Sequence, residues 1–399
     1  MGFFYEGKLD IEKHNEEAAQ VWKAFYEGNP TRVPVSVVGS IRVYFQNPVL
    51  NTNKWTFKDF FENLDVQIQA QVEYQKWCRF NLLCDHEMGM PKKGWNLFVD
   101  FQNVYDAAWM GCTIVYAEDA VPDTLPILAE NKEALYDMPQ WIDDDNPFWS
   151  RAIEFYEAML EASQQREYYG LPVLAPGAAP GESTDGPLDL AYKLRGADNL
   201  LIDMLTDEKY FHDLMNYVTE NLIRRMKRMR ELRWKKQPDS PDRGIYRKKG
   251  FSFADDAIAL ISQKQYQDHV YMYHKRFFDE FSDGSPASMH LCGDATHHFK
   301  FLADKFNVRL FDTGFPVDHG KLRRELGPDV TIQGGPTIME ILSGNEESIT
   351  REVERICKSG VMEGGKFVMI AANNLAPKTP VENIAALYNA TKIYGTYHK

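Results

Sequence analysis

The stretch ASMHLCGDATHHFKFLADKFNVRLFD, Ala287–Asp312, decides how the chain is read. It opens on a β-rich run, Ala287–Leu291, and turns at Gly293-Asp294. A helical pattern follows, and a second β-rich run, Val308–Phe311, closes it. Strand, helix and strand joined by short loops make a unit whose strands run parallel. The rhythm continues through Val330–Gln333 and Phe367–Ala371. Upstream, Val33–Val38, Thr113–Ala117, Pro172–Pro176 and Ile245–Phe253 read as further strands, with Phe80–Cys84 as a weaker candidate. About eight such units predict a closed (β/α)8 TIM barrel, with a doubly wound open sheet as the alternative. In a barrel, reacting groups gather on the loops after the strand C-termini. Here those loops are Gly39-Ser40, Gly177–Gly186, Asp255-Asp256, His290–Asp294, Asp312–Gly314, Gly334–Pro336 and Ala372–Leu375.

The rest of the chain reads as additions to that barrel. Residues 1–30 form a helical lead-in, with a helix over Glu12–Gly28 that stops at Gly-Asn-Pro. Asn51–Trp149, rich in Trp, Phe and Asp, reads as an insertion rather than a second domain, so residues 1–399 are expected to form one barrel domain. The clearest helix starts near Asp207, with Phe211, Leu214, Met215, Val218, Leu222, Met226 and Met229 on one stripe.

Composition excludes several classes. Hydrophobic residues at 44% and charged residues at 26% fit a folded globular chain, not a disordered, collagen-like or disulfide-stapled one. A net charge of −13 makes a poor general binder of nucleic acid or anionic membrane. No apolar run approaches the roughly 20 residues that span a bilayer. The charged start, Met1–Ala18, has no signal-peptide core, and five widely spaced cysteines read as free thiols, so the expected location is the cytoplasm. The 13% of aromatic residues reads either as a large core or as an aromatic-walled pocket. Arg224–Lys249 holds 12 Lys or Arg against three acids; it reads as the solvent face of a helix, or as a dock for an acidic partner.

His290 and Cys292 are the sharpest local feature. Two apart at a strand end, they point the same way, and an imidazole with a thiolate is a natural pair of zinc ligands. The competing reading is a buried thiol and a hydrogen-bonded core histidine. Asp255, Asp256 and Asp312 follow β-rich runs and are candidates for general acid or base chemistry. Each competes with a plain helix N-cap, Asp255 for the turn that starts at Ala257. Glu182 and Asp185 lie in the Gly177–Gly186 loop and add oxygen donors. His297 and His298 read as ordinary helix residues. Cys78 and Cys84, with Asp85, His86 and Glu87 after them, fit no zinc-knuckle spacing.

The segments His290-Leu291-Cys292-Gly293-Asp294, Phe311-Asp312, Leu326–Pro336, Ile341–Glu347 and Pro377–Ile384 together resemble the uroporphyrinogen decarboxylase superfamily. Gly186–Ala191 with Arg195-Gly196, and Asp255-Asp256 with Ser262 and Tyr266, extend the resemblance upstream to about Pro172. The resemblance implies a (β/α)8 barrel, and either decarboxylation or methyl transfer to or from a corrinoid. Decarboxylases of this family carry an Arg-rich segment after the first strand. Here Val37-Val38-Gly39-Ser40-Ile41-Arg42 offers Arg42 alone. His-x-Cys-Gly is similar instead to the corrinoid-dependent methyltransferase branch, where His and Cys are zinc ligands. That branch's third ligand, a Cys, aligns with Asn373 here.

The resemblance thus implies a methyltransferase acting between a small, methoxylated aromatic substrate and the corrinoid of a separate carrier protein, an O-demethylation. The chain shows no corrinoid-binding pattern of its own. His290, Cys292 and Glu182 are expected around zinc, Asp255, Asp256 and Asp312 in catalysis, and Arg42, Asp185, Asn373 and Asn374 on substrate. With no third Cys, the remaining zinc ligands are expected to be oxygen donors from Glu182, Asp185, Asp255, Asp256 and Asp312, or water. A decarboxylase-like lyase and a metal-free binding barrel stay open, and a homodimer is compatible with the chain.

Overall fold

The computed structural model describes residues 4–5, 7–117, 120–142, 146–371 and 373–397. Ala372, in the expected loop 372–375, lies outside them. The described strands are β1 (Trp95–Asn96), β2 (Thr113–Val115), β3 (Asp123–Leu125), β4 (Glu167–Tyr168), β5 (Leu171–Leu174), β6 (Ser252–Ala254), β7 (Ala287–Leu291), β8 (Val308–Thr313), β9 (Thr331–Gly334) and β10 (Phe367–Met369). Strands β6 to β10 form a parallel sheet in the order β10-β9-β8-β7-β6. The molecule is therefore an α/β fold. Helices Thr296–Phe306, His319–Leu326 and Glu346–Ile356 fall between successive strands, as the alternation in the second half predicts.

The chain divides into two compact units, residues 1–55, 69–95 and 291–399, and residues 56–68 and 96–290. In the first, β8 to β10 are extended by the segment at Val35, which bridges Met369 in parallel. Ser36 N donates to Met369 O, and Met369 N donates to Pro34 O. The expected strand Val33–Val38 is thus a single bridge, because Pro34 has no N–H for a regular ladder. Asp85 ties this edge down. It is buried and accepts from Arg32 Nη1 at 2.7 Å, Arg32 Nη2 at 2.5 Å and Val35 N at 2.7 Å. Burial pushes the thiols of Cys78 and Cys84, next to this staple, up to about 12, so they stay protonated. Phe80 and Asn81 end the helix Leu64–Asn81, so the weaker strand candidate at Phe80–Cys84 is overturned. His298 is buried in the helix Thr296–Phe306, an ordinary helix residue as read.

The second unit departs further from expectation. Thr113–Val115 forms an antiparallel hairpin with Asp123–Leu125, and Leu171–Leu174 one with Glu167–Tyr168. Neither is a parallel strand followed by a helix. β2 leaves both faces at least partly exposed, so its short apolar residues bury nothing that would hold it inside a sheet. The lead-in helix, capped by Asp10, runs over Ile11–Tyr26, close to the expected span.

Three arginines of the basic helix Glu208–Lys236 depart from the solvent-face reading. Arg225, Arg230 and Arg233 are buried, not solvent-facing. Arg225 Nη1 lies 2.6 Å from Asp106 Oδ1, and its guanidinium stands 4.6 Å over Trp109 and 5.4 Å over Trp149. Arg233 donates to Glu182 at 2.6 and 3.1 Å and to Asp242 at 2.8 and 2.6 Å. Alternating Met and Arg on one helix thus supplies both core volume and internal counter-ions.

Candidate functional site

Two carboxylates build the loop after β6. Asp255 lies at its end, fully buried; Oδ2 accepts from Leu188 N at 2.9 Å and Oδ1 from Asp189 N at 3.0 Å. These are two of the first amides of the helix Pro187–Arg195, which lack partners inside the helix. Asp189 answers. Its oxygens accept from Asp256 N at 2.7 Å and Ala257 N at 2.8 Å, the first amides of the turn Asp256–Leu260. Each aspartate caps the other's element. Asp255 is therefore a cap, but of a helix 66–67 residues upstream, not of the turn that follows it. Gly186 makes the crossing possible: at φ +100° it passes so close that a Cβ would lie 2.5 Å from Ala254 O and 2.6 Å from Asp255 Oδ2.

Behind Asp255 lies a buried chain of polar groups. His274 Nε2 is 2.9 Å from Asp255 Oδ2, and Tyr266 Oη is 2.9 Å from His274 Nδ1. Burial depresses His274 to about 3, so the ring is neutral. Burial raises the Asp255 carboxyl, against the two backbone amides that lower it. With neutral His274 donating from Nε2, the Tyr266 hydroxyl donates to Nδ1. Asp255, expected in catalysis, is so enclosed that it serves as the strut holding Asp256.

Asp256 is what this strut presents. Ala254 pairs with His290 across β6 and β7, so Asp256 lies two residues past the strand end, beside His290. In β7, Ala287, Met289 and Leu291 are buried while Ser288 and His290 are half-buried, the alternation a two-residue period demands. Asp256, His290 and Cys292 each offer one donor atom, and these lie within 4.8 Å of one another. Cys292 Sγ accepts from Asn373 Nδ2 at 2.9 Å. The amide's orientation is set by Asn374 N, which donates to Asn373 Oδ1 at 2.7 Å. Asn373, expected on substrate, is thus a hydrogen-bond donor to sulfur, and its oxygen is turned away from Cys292.

Glu182 does not fill the metal role given to it. Its carboxylate accepts from Arg233 and from Ala179 N at 2.7 Å, with Arg230 3.9 Å away. Asp256 stands where Glu182 was expected. Asp185 lies near: Asp256 and Asp106 both help burial raise its carboxyl, and Lys193 opposes them from 3.6 Å. Asp312 lies in β8, and the nearby helix His319–Leu326 is capped by Asp318, not by it. Arg42 opens the short helix Arg42–Phe45, and Asn374 is exposed.

A cavity of about 290 Å³ opens beside the Gly177–Gly186 loop, lined by Phe98, Phe101, Tyr105, Asp106 and Asp185 among others. His290 and Cys292 are not among its lining residues. Sequence reading named Asp189 and Tyr266 only within the segments that carry the resemblance, with no role given to either, and it missed Asp106 and His274.

Residues 250–394 match the family model described as Uroporphyrinogen decarboxylase (URO-D). This part of the chain is similar to that family's model, and it makes up less than half of the sequence. The match holds β6 to β10 and all three donor residues. No curated protein matches the chain. Among solved structures it is similar to a methyltransferase from Methanosarcina mazei, 14% identical, covering 94% of this chain and 98% of that one with a TM-score of 0.60. At that identity the likeness concerns the fold. No helix among the described residues is long and apolar enough to cross a membrane.

Proposed function

We propose that this chain is a cytoplasmic methyltransferase, with its parallel sheet completed as a (β/α)8 barrel. It moves a methyl group between a small, methoxylated aromatic substrate and the corrinoid of a separate carrier protein. One observation carries the reading: Asp256, His290 and Cys292 hold an oxygen, a nitrogen and a sulfur donor within 4.8 Å. Three mixed protein ligands suit zinc with one coordination position left for substrate. When bound, such an ion supplies a Lewis acid that polarises an ether oxygen so that its methyl group can leave.

The chain's own residues prepare that chemistry. The Asp255–Asp189 caps hold Asp256, and the Asn373 amide donates to the Cys292 sulfur and so fixes its position. A single thiolate with a carboxylate makes a harder site than a two-thiolate set, which suits an ether oxygen better than a soft thiol. The aromatic walls of the cavity at Phe98, Phe101 and Tyr105 suit a flat ring. The decarboxylase reading needs arginines for substrate carboxylates. Arg225 and Arg233 are instead committed to Asp106, Glu182 and Asp242.

The test is elemental analysis and zinc titration of the wild type beside His290→Ala, Cys292→Ser and Asp256→Asn. Wild type should bind one equivalent more than each variant, and should transfer methyl from a methoxylated arene to cob(I)alamin. Equal zinc uptake by all four proteins would overturn the metal and with it the mechanism.

A further inference from the structure

A second set of donors lies in the unit formed by residues 56–68 and 96–290, on the first turns of the helix Glu208–Lys236. Glu208 and His212, four residues apart, share one helix face. His269, from the π-helical segment Tyr266–Val270, comes down onto them. One donor atom from each of the three lies within 4.8 Å of the others. His212 Nε2 is 3.7 Å and His269 Nδ1 3.6 Å from the same oxygen, Glu208 Oε1. Both distances exceed a hydrogen bond. A tetrahedral ion with ligands at roughly 2.0–2.1 Å holds them about 3.3–3.4 Å apart, close to what is seen.

Two further observations point to an ion. His269 Nδ1 is buried and makes no hydrogen bond. An imidazole nitrogen shut from water without a partner is a standing cost to the fold, which a metal would recover. His212 is also held in the tautomer a ligand needs. Tyr273 Oη lies 3.3 Å from His212 O, to which it donates, so it accepts from His212 Nδ1–H at 2.7 Å. That leaves the lone pair on Nε2, the atom facing Glu208. Fixing a ligating imidazole through its other nitrogen is the usual arrangement around zinc. Phe211 meets both rings edge-on, at 5.4 and 6.1 Å between centroids.

We propose that Glu208, His212 and His269 form a second zinc site, separate from Asp256, His290 and Cys292, with water completing its coordination. It clips the start of the long helix to the segment that also carries Tyr266 and, four residues past its end, His274. Its service is structural: it steadies the chain of groups behind Asp255 and does not touch the reacting atoms.

The test uses the full chain carrying His290→Ala and Cys292→Ser, so that failure at the first site does not obscure the second. Titration calorimetry with zinc alone should find one equivalent. Adding His269→Ala or Glu208→Gln should abolish it, and adding Tyr273→Phe should weaken it by about 10–100-fold. Glu208 is exposed, so its variant should fold as the parent does. With Co²⁺ in place of zinc, the spectrum should lack a thiolate-to-metal charge-transfer band. No uptake by the double variant would overturn the site. So would uptake unchanged by both His269→Ala and Glu208→Gln.

Discussion

Glu182 and Asp256 look alike in the sequence and end up in opposite roles. Each follows a β-rich run, and each lies in a loop where a barrel collects its chemistry. In the fold, Glu182 meets Arg233 from a helix that starts downstream, 51 residues away in the chain, and both of its oxygens accept from that guanidinium. Asp256 has its amide held by Asp189, and one of its carboxylate oxygens lies with the donor atoms of His290 and Cys292. The difference teaches that the role of a loop carboxylate is decided by the groups the fold brings to it. Burial beside a guanidinium makes it part of the core.

The largest expected effect tests the arginine side. Arg225→Met should cost about 3–5 kcal/mol in urea unfolding, because Asp106 is left buried without its cation. A loss under about 1 kcal/mol would mean that the pair is already hydrated and that the contrast with Asp256 is weaker than drawn.

Next in size is acid sensitivity behind Asp255. His274 sits near 3 when folded and near 6.5 when unfolded, so its folded value is depressed. Its contribution is complete above about pH 6.5 and fades as pH falls, by up to about 1.4 kcal/mol per unit, until it flattens near pH 3. His319, lowered by burial to about 4, adds to the same trend. His274→Gln should flatten the stability curve between pH 6.5 and 4.5 by about one proton relative to wild type. An unchanged slope would show that the ring is solvated.

A paired substitution addresses the comparison directly. Glu182→Gln should destabilise by about 1–3 kcal/mol and leave zinc uptake as it was. Asp256→Asn should stay within about 0.5 kcal/mol of wild type and lose one zinc. The reverse pattern would exchange the two roles. A single hydrogen bond is at stake in Tyr266→Phe, which removes the one to His274 and should cost about 1 kcal/mol by thermal unfolding. No change at all would mean that water replaces the hydroxyl.

Local order was legible in the sequence where period and spacing decide it. The parallel strands Ala287–Leu291, Val308–Thr313, Thr331–Gly334 and Phe367–Met369, the lead-in helix and the shared direction of His290 and Cys292 all follow from alternation, turn residues and a two-residue step. Thr113–Val115 and Leu171–Leu174 were legible as strands but not as hairpins, because a short apolar run does not say what pairs with it. Only the tertiary structure decided that Asp255 caps a helix far upstream, that Asn373 donates to the Cys292 sulfur, and that the basic helix turns Arg225, Arg230 and Arg233 inward. Each depends on which groups a fold brings together across tens of residues. Propensity and period act over a few residues, whereas a buried charge is satisfied by whichever opposite charge or amide the chain returns to it.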